Sequence, residues 1–141
     1  MAAVNELENI GDVIETDLVH LGDERISAGV SISPSTREVL GEVHKAVAAA
    51  TDLAIRSVYE NNPAAAREVI DMKGSISQLA ESAAMHEIKR LVAEEPNRLA
   101  TYTIEMDIIE KLKRIYYFAK RMAKTIDIEV EESEAATEAA A

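Results

Sequence analysis

The spacing of apolar residues along the chain predicts four helices. In the first, from about Ala2 to Gly22, apolar residues recur three or four positions apart. The second runs from Ser33 to about Tyr59, the third from Pro63 to about Glu94 and the fourth from about Asn97 to Ile126. The apolar positions that carry this pattern are Val4, Leu7, Ile14, Leu18 and Leu21; Leu40, Val43, Val47, Ala50 and Ala54; Val69, Met72, Ile76, Leu79 and Ala83; and Ile108, Leu112, Ile115, Ala119, Met122 and Ile126.

The connections between these segments contain turn-forming and helix-breaking residues. Residues 23–33 are poorly patterned and suit either an irregular loop or a short extended piece. Ser33-Pro34 begins the second helix, where a hydroxyl group can cap it, and Ser35 to Glu38 has capping-box spacing. The other two connections are short, so helices 2, 3 and 4 should be antiparallel neighbours. The sequence therefore predicts an all-α fold, an elongated antiparallel bundle of four long helices.

The two ends of the chain suggest its domain organisation. Residues 127–141 hold six acids and no base, which predicts a solvated, disordered tail behind a bundle domain of residues 1–126. The first helix is in full pattern by Val4 and has no convincing N-terminal cap. We therefore expect the bundle to be the C-terminal part of a longer domain.

Composition and charge exclude several functional classes. The chain has 26 acids against 15 bases, a formal net charge of −11, and such a surface cannot neutralise nucleic-acid phosphates. It has no cysteine, which excludes thiolate metal sites and cysteine nucleophiles. No apolar run is long enough for a membrane span. There is no nucleophile elbow or glycine-rich phosphate loop, so we do not expect an enzyme.

The first helix carries a stripe of carboxylates that is a candidate metal site. Glu8 and Asp12 stand one helical turn apart, Glu15 lies on the same side, and Gly11 interrupts the helix between them. Repulsion between like charges and a mid-helix glycine both cost helix stability, which would be explained by a cation and a close approach. Carboxylates suit an iron, zinc or manganese ion or cluster at this one site. The alternative is an ordinary solvated acidic stripe.

The same residues resemble a known family. The stretch Leu7-Glu8-Asn9-Ile10-Gly11-Asp12 is similar to the L-E-R-I-G-D motif of PhoU-type phosphate-regulation domains, whose helical repeats bind metal clusters through an E/D-x-x-x-D motif. The hairpin from Ala50-Thr51-Asp52-Leu53-Ala54 to Val69-Ile70-Asp71 resembles the acidic spacing in that family. The resemblance covers about residues 2–126, as the third helix of one repeat followed by one complete repeat. It makes Asp71 a weaker ligand candidate.

A second resemblance concerns the cellular role. Tyr102-Thr103-Ile104-Glu105-Met106-Asp107 and the run from Lys113 to Arg121 are similar to the PhoU-like domain at the C-terminus of bacterial sodium/phosphate cotransporters. That resemblance implies a cytoplasmic regulatory domain, on the inner-membrane side, whose partner is the transporter membrane domain or a phosphate-signalling protein. The alternatives are a free-standing PhoU-type adaptor and a metal-free helical scaffold. A homodimer is also conceivable.

The fourth helix does not repeat the acidic stripe. On a helical wheel, Lys113, Tyr117 and Lys120 fall where Glu8, Asp12 and Glu15 fall on the first helix, so no second cation site is expected. Two interpretations of this basic stretch remain open: complementation of the helix dipole and of neighbouring acids, or a contact face for an acidic partner, a phosphate group or the inner leaflet. Its bases are Lys111, Lys113, Arg114, Lys120, Arg121 and Lys124.

Overall fold

The computed structural model describes residues 2–93 and 95–140, and every regular element in that part of the chain is a helix. The elements in chain order are α1 (Ala2–Asp12), a π-helical turn (Val13–Leu18), α2 (Val19–Ser27), α3 (Pro34–Tyr59), α4 (Pro63–Asp71), α5 (Lys73–Leu91) and α6 (Arg98–Ala140). The predicted all-α helical bundle is confirmed. The end predicted for the third helix, Glu94, lies outside the described residues, as do Met1 and Ala141.

Helix α6 is the centre of the bundle. It packs against α1, α2, α3, α4 and α5, and α3 packs in addition against α4 and α5. The first rod, formed by α1, the π-helical turn and α2, has extensive contacts only with α6. The short turn after Tyr59 makes α3 antiparallel to α4, and α5 continues the direction of α4 after a break at Met72.

Two helix ends are closed by the same local geometry. The backbone N–H of Val30 donates to Arg25 O (3.0 Å) and that of Gly29 to Ile26 O (3.1 Å). This pair of bonds is the Schellman motif, which requires a left-handed residue, and Gly29 has φ +64°. The first rod therefore extends to Ser27, beyond the end predicted at Gly22. After Tyr59 the chain repeats the motif with Asn61 in the left-handed position (φ 48°).

The start of α3 uses the first of its two serines. Ser33 is the N-cap, and its Oγ accepts a hydrogen bond from the backbone N–H of Thr36 (3.2 Å), with Pro34 in the first turn. The predicted start is confirmed, and the cap is Ser33 rather than Ser35.

The last helix is longer than the sequence pattern indicates. The segment predicted as a disordered tail continues α6 to Ala140, and residues 131–140 are all exposed. Glutamate and alanine are strong helix formers, so this segment continues a helix without burying an apolar face. Among the residues whose burial the structure describes, Ile126 is the last buried one, and Asp127 still pairs with Arg67 of α4 (3.0 Å).

The buried side of α1 differs from the predicted one. Ile10 and Val13 are buried together with Glu6, whereas Val4, Leu7 and Ile14 are 57%, 45% and 48% exposed. Leu21 of α2 is buried as predicted, so the buried side changes phase across the π-helical turn. Glu6 Oε1 lies 2.9 Å from Arg121 Nε of α6 on the side of α1 that is buried.

The predicted apolar sides of α3 and α6 are confirmed. The five predicted positions of α3 and five of the six predicted positions of α6 are buried, and Ile108 is partly buried.

Candidate functional site

The two main metal-ligand candidates lie in the last two turns of α1. Glu8 and Asp12 are exposed, and Glu15 is exposed in the π-helical turn that follows. Apart from the two chain neighbours of Gly11 and the nearby backbone of its own helix, no atom of the described residues lies within 4 Å of the position where a Cβ on Gly11 would stand. The close approach expected at Gly11 is therefore not made by this part of the chain.

Asp12 faces a depression between α1 and α6. Its volume is about 390 Å³, and polar groups of Asn9, Thr16 and Asp17 line it together with Arg114 of α6. A guanidinium group therefore already stands in the depression that Asp12 faces. Glu8 does not line this depression, so the two carboxylates do not converge on one enclosed space.

Asp71 is separated from the carboxylates of α1. It ends α4, where its charge acts on the hydroxyl of Tyr116 and, together with burial, raises the pKa of that hydroxyl. Helices α1 and α4 each pack on α6 and share no extensive contact. The structure does not bring Asp71 to Glu8 and Asp12.

The donor set for a metal ion is incomplete within the described residues. Over residues 2–93 and 95–140, no three histidine or acidic side chains come together in a way that could hold a metal. Glu8 and Asp12 offer hard oxygen donors, but zinc takes about four ligands and manganese bound through oxygen takes about six. Water or a second protein surface would have to supply the rest.

The basic stretch of α6 is partly neutralised by the first rod. Lys111 Nζ lies 3.2 Å from Asp17, Arg121 pairs with Glu6, and Lys113 pairs with Glu110 on its own helix (3.2 Å). The other three bases are placed differently. Arg114 stacks on Phe118 (5.6 Å from the ring centre), Lys120 lies 6.0 Å from the ring centre of Tyr116, and Lys124 is exposed. Acids of the first rod thus neutralise two of the bases, but these acids are Glu6 and Asp17 rather than Glu8 and Asp12.

An apolar groove separates the first rod from α3. It has a volume of about 420 Å³, and its floor includes Leu112 and Ile115 of α6. Ile14 borders it on one side and Ile55 (40% exposed) on the other. With Val4 and Leu7, these side chains give the outer side of the first rod an aliphatic surface beside its carboxylates.

The structure also contains a buried charged cluster that the sequence analysis did not identify. Glu87 of α5 and Glu105 of α6 are both 0% exposed, and Arg98 is 8% exposed. Arg98 Nη2 donates to Glu105 Oε2 at 3.0 Å and to Glu87 Oε2 at 3.3 Å. The other oxygen of each carboxyl group, Oε1, is buried and accepts no hydrogen bond from the described residues.

The charges of this cluster do not balance, so a proton is favoured there. Two carboxylates face one guanidinium, and an uncompensated buried charge is strongly unfavourable. Burial, together with the neighbouring carboxyl group of Glu87, raises the pKa of Glu105 to about 7, while Arg98 opposes the rise. The cluster lies beside His86, whose Nε2 is 3.9 Å from Glu87 Oε1 and 3.3 Å from Thr36 Oγ1.

A sequence signal for this cluster existed. Glu87 follows the buried residues Ile76, Ala80 and Ala83 at helical spacing, and Glu105 precedes Ile109 and Leu112 in the same way. A carboxylate on the apolar side of a helix needs a buried partner, and Arg98 precedes Glu105 by two helical turns on α6.

None of the described helices has a stretch sufficiently long and apolar to cross a membrane.

Comparisons with known proteins do not place the chain in a family. A scan against protein-family models, a search of curated proteins and a search of solved structures found no match to this chain.

Proposed function

We propose that this chain is a PhoU-like regulatory domain of phosphate uptake that docks a partner protein through α1, rather than an enzyme or the transporting part itself. The observation that supports the proposal is an exposed surface of the first rod. There Val4 and Leu7 of α1 and Ile14 of the π-helical turn expose aliphatic side chains on the rod that also carries Glu8 and Asp12. Contiguous exposed apolar surface with polar neighbours is typical of protein interaction sites.

The partner in this proposal is the membrane domain of a sodium/phosphate symporter, with the chain on the cytoplasmic side of the inner membrane. The resemblance of the α1 motif and of the α6 sequence to such transporters supports this choice. The aliphatic groups would bury apolar surface on the partner, and the carboxylates would favour a basic or metal-bearing surface.

Because the described residues supply too few ligands for a metal ion, we extend the proposal to docking in which the chain and its partner share the ion. Glu8 and Asp12 would hold an iron, zinc or manganese ion whose remaining ligands come from water or the partner. Such an ion supplies positive charge that joins two acidic surfaces. The second candidate function is a metal-free helical scaffold, which the absence of a third ligand within the described residues favours.

Phosphate uptake in cells tests the docking proposal. The change is Leu7→Asp with Ile14→Asp in the chromosomal gene. In wild-type cells, uptake of radiolabelled phosphate should decrease on return from phosphate starvation to excess phosphate. We expect this decrease to be absent in the variant, because the introduced aspartate side chains would not enter an apolar interface. The matched control is Val92→Asp with Leu99→Asp, which adds the same charge at exposed aliphatic positions outside α1. Normal regulation in the Leu7/Ile14 variant, at normal protein level, would contradict the proposal.

Elemental analysis tests the metal. Protein purified without an affinity metal would be measured beside Glu8→Ala/Asp12→Ala and the control Glu38→Ala/Glu42→Ala, which removes two exposed acids at the same spacing from α3. We expect near-stoichiometric iron, zinc or manganese in wild type and control, and its loss in the Glu8/Asp12 variant. A wild type that is empty and takes up no added metal would favour the metal-free scaffold.

A further inference from the structure

The exposed side of α6 carries opposite charges in its two halves. A line of exposed positions with alternating spacings of four and three residues runs along the helix, opposite its buried side. The members of this line are Glu110, Arg114, Tyr117, Arg121, Lys124, Ile128, Glu131 and Ala135. Its middle is basic, with Lys113 as a further exposed base beside it, whereas residues 131–140 hold four acids and no base.

The two charged halves cannot neutralise each other within one chain. Lys113 and Arg114 precede Glu131 and Glu132 by 18 residues, which is about 27 Å along a helix. Arg114 and these two glutamates form no ion pair among the described residues. Lys113 has only its exposed pair with Glu110, which contributes little in solvent. Both halves therefore keep charge that a second molecule can pair.

The basic half of α6 is also an ordered and uncovered surface. A shallow depression of about 680 Å³ lies over it, and every residue that lines this depression belongs to α6. Arg114 stacks on Phe118, and the guanidinium carbon of Arg121 lies 5.6 Å from the ring centre of Tyr117. The rings of Tyr117 and Phe118 meet edge to face at 5.4 Å. Aromatic rings thus hold the guanidinium groups in place at the surface.

A second copy of the chain in antiparallel orientation matches this charge pattern. We place the two-fold axis level with the midpoint of residues 121–124. Arg114 of each copy then comes level with Glu131 of the other, and Lys113 comes level with Glu132. Each contact of opposite charge forms twice, because a two-fold interface is self-complementary.

The same axis brings the two half-exposed apolar side chains of the line together. Tyr117 (48% exposed) comes level with Ile128 of the second copy (54% exposed), so both can bury surface there. Next to the axis, Arg121 comes beside Lys124 of the second copy. Glu6 already pairs with Arg121 at 2.9 Å, which reduces the repulsion in that layer.

Electrostatics select the antiparallel arrangement and limit its strength. A parallel pair would place bases on bases and acids on acids. The net charge of −11 on each copy opposes association, but the Debye length of about 8 Å at physiological ionic strength leaves the nearest pairs dominant. One pair of helices without a continuous apolar core is a small interface, for which we expect a Kd of about 10–100 µM. Urea unfolding at about 1 µM protein therefore follows the monomer.

We propose that the chain forms a two-fold homodimer through antiparallel pairing of α6, in which the basic half of each copy contacts the acidic end of the other. The acidic segment beyond the bundle then has a partner that the single chain does not offer. The inference does not depend on docking through the first rod, because the rod lies on the other side of α6 from this line.

Sedimentation equilibrium measures this dimer from about 1 µM to about 500 µM protein, which spans the expected Kd. Two reciprocal variants each reverse one half: Lys113→Glu/Arg114→Glu and Glu131→Lys/Glu132→Lys. We expect about a tenfold or greater rise in Kd for each variant alone, because like charges then face each other. An equimolar mixture of the two should dimerise within about threefold of wild type, because each reversed half meets its complement.

Matched controls separate the interface from the net charge. Lys45→Glu/Lys89→Glu and Glu38→Lys/Glu42→Lys change the charge by the same amounts at exposed positions of α3 and α5. Each should keep the wild-type Kd within about threefold. Recovery in the mixture excludes loss of the fold as the cause of weakening. The docking variant of the first rod should dimerise as wild type does, which keeps this result distinct from the proposed function.

Three outcomes would overturn the inference. They are a wild type that stays monomeric over the whole concentration range, equal weakening in the reversed variants and the controls, and a mixture that dimerises no better than either variant alone. A monomeric wild type would instead leave the basic half of α6 for an acidic partner of another kind.

Discussion

At the scale of single residues, the cluster of Glu87, Arg98 and Glu105 links the stability of the protein to pH. Its two carboxyl groups and one guanidinium group are buried between α5 and α6. The folded protein therefore holds a proton that the unfolded chain releases at the ordinary pKa of glutamate. The consequence is a decrease in stability as the pH rises toward neutral.

The raised pKa of Glu105 sets the direction in which the free energy of unfolding changes with pH. Below the unfolded pKa of 4.5, Glu105 is protonated in both states and contributes no pH dependence. Between that value and the folded pKa of about 7, only the folded state keeps the proton, so the free energy of unfolding falls with rising pH. Urea unfolding at about pH 5 and about pH 8 should show this decrease in wild type.

Glu105→Gln separates this effect from other titrations. Glutamine resembles the protonated acid and cannot titrate, so the variant should lose most of the decrease between the two pH values. The control Glu95→Gln removes an exposed acid that also contacts Arg98 (3.7 Å) and should keep the decrease. An unchanged pH dependence in Glu105→Gln would show that the proton is not held there.

Arg98→Met should be the more damaging change. It removes the guanidinium group that bonds to both buried carboxyl groups, and breaking a buried pair in this way costs about 3–5 kcal/mol. We expect that loss in urea unfolding at about pH 8, and a smaller loss at about pH 5, where protonation replaces the missing charge. An equal loss at both pH values would argue for lost packing instead.

At the scale of the helices, the spacing of apolar residues predicts the buried side of a helix well where burial of aliphatic side chains alone determines it. The faces of α3 and α6 follow from aliphatic spacing alone because their buried sides contain few charges. The face of α1 does not, because the π-helical turn shifts the phase of the first rod and Glu6 meets Arg121, a contact between distant parts of the sequence. Glu87 and Glu105 stand out in the sequence by their positions on apolar helix sides, but their shared bonds to Arg98 do not, because the sequence does not show which base reaches them.

The start of α3 provides a local test. Ser33→Ala should destabilise the protein by about 1 kcal/mol, because the backbone N–H of Thr36 loses its acceptor. Ser35→Ala should cost less, since Ser35 has only exposed hydrogen bonds with Ser33 and Arg90. Thermal unfolding of both variants checks this order, and the reverse order would assign the cap to Ser35.

The exposed end of α6 provides a second test. Truncation after residue 130 should lower the helical circular dichroism signal but leave the urea midpoint unchanged. The physical reason is that residues 131–140 bury no side chain, while the pair of Asp127 with Arg67 is kept. A clear fall in the midpoint would mean that this segment stabilises the bundle through contacts of another kind.

At the scale of the whole molecule, stability is distributed unevenly around α6. Helices α3, α4 and α5 pack on one another as well as on α6, whereas the first rod has extensive contacts with α6 alone. Elements with fewer packing partners open at lower free energy than the global unfolding reaction.

Hydrogen exchange with mass spectrometry checks this consequence. Amides of α1 should exchange through a local opening that precedes exchange in α3 and in the buried centre of α6. Ile10→Ala should speed amide exchange in α1 alone. Ile109→Ala should speed exchange throughout the bundle, because α6 packs against every other described helix. Simultaneous exchange of all helices would contradict a separate opening of the first rod.

The π-helical turn at Val13–Leu18 has a further consequence for insertions and deletions. A π-helical turn accommodates one more residue than the α-helical turn around it, so it changes the angular phase between the two halves of the rod. Because the turn absorbs that extra residue, deleting one residue there would restore a continuous α-helix and leave the facing of α1 relative to α2 unchanged. Converting the turn to α-helix with all its residues kept would instead rotate α1 by about 100° relative to α2. Glu6 would then leave Arg121, and the carboxylates of Glu8 and Asp12 would point in another direction. The extra residue of this turn therefore sets which side of α1 a partner can reach.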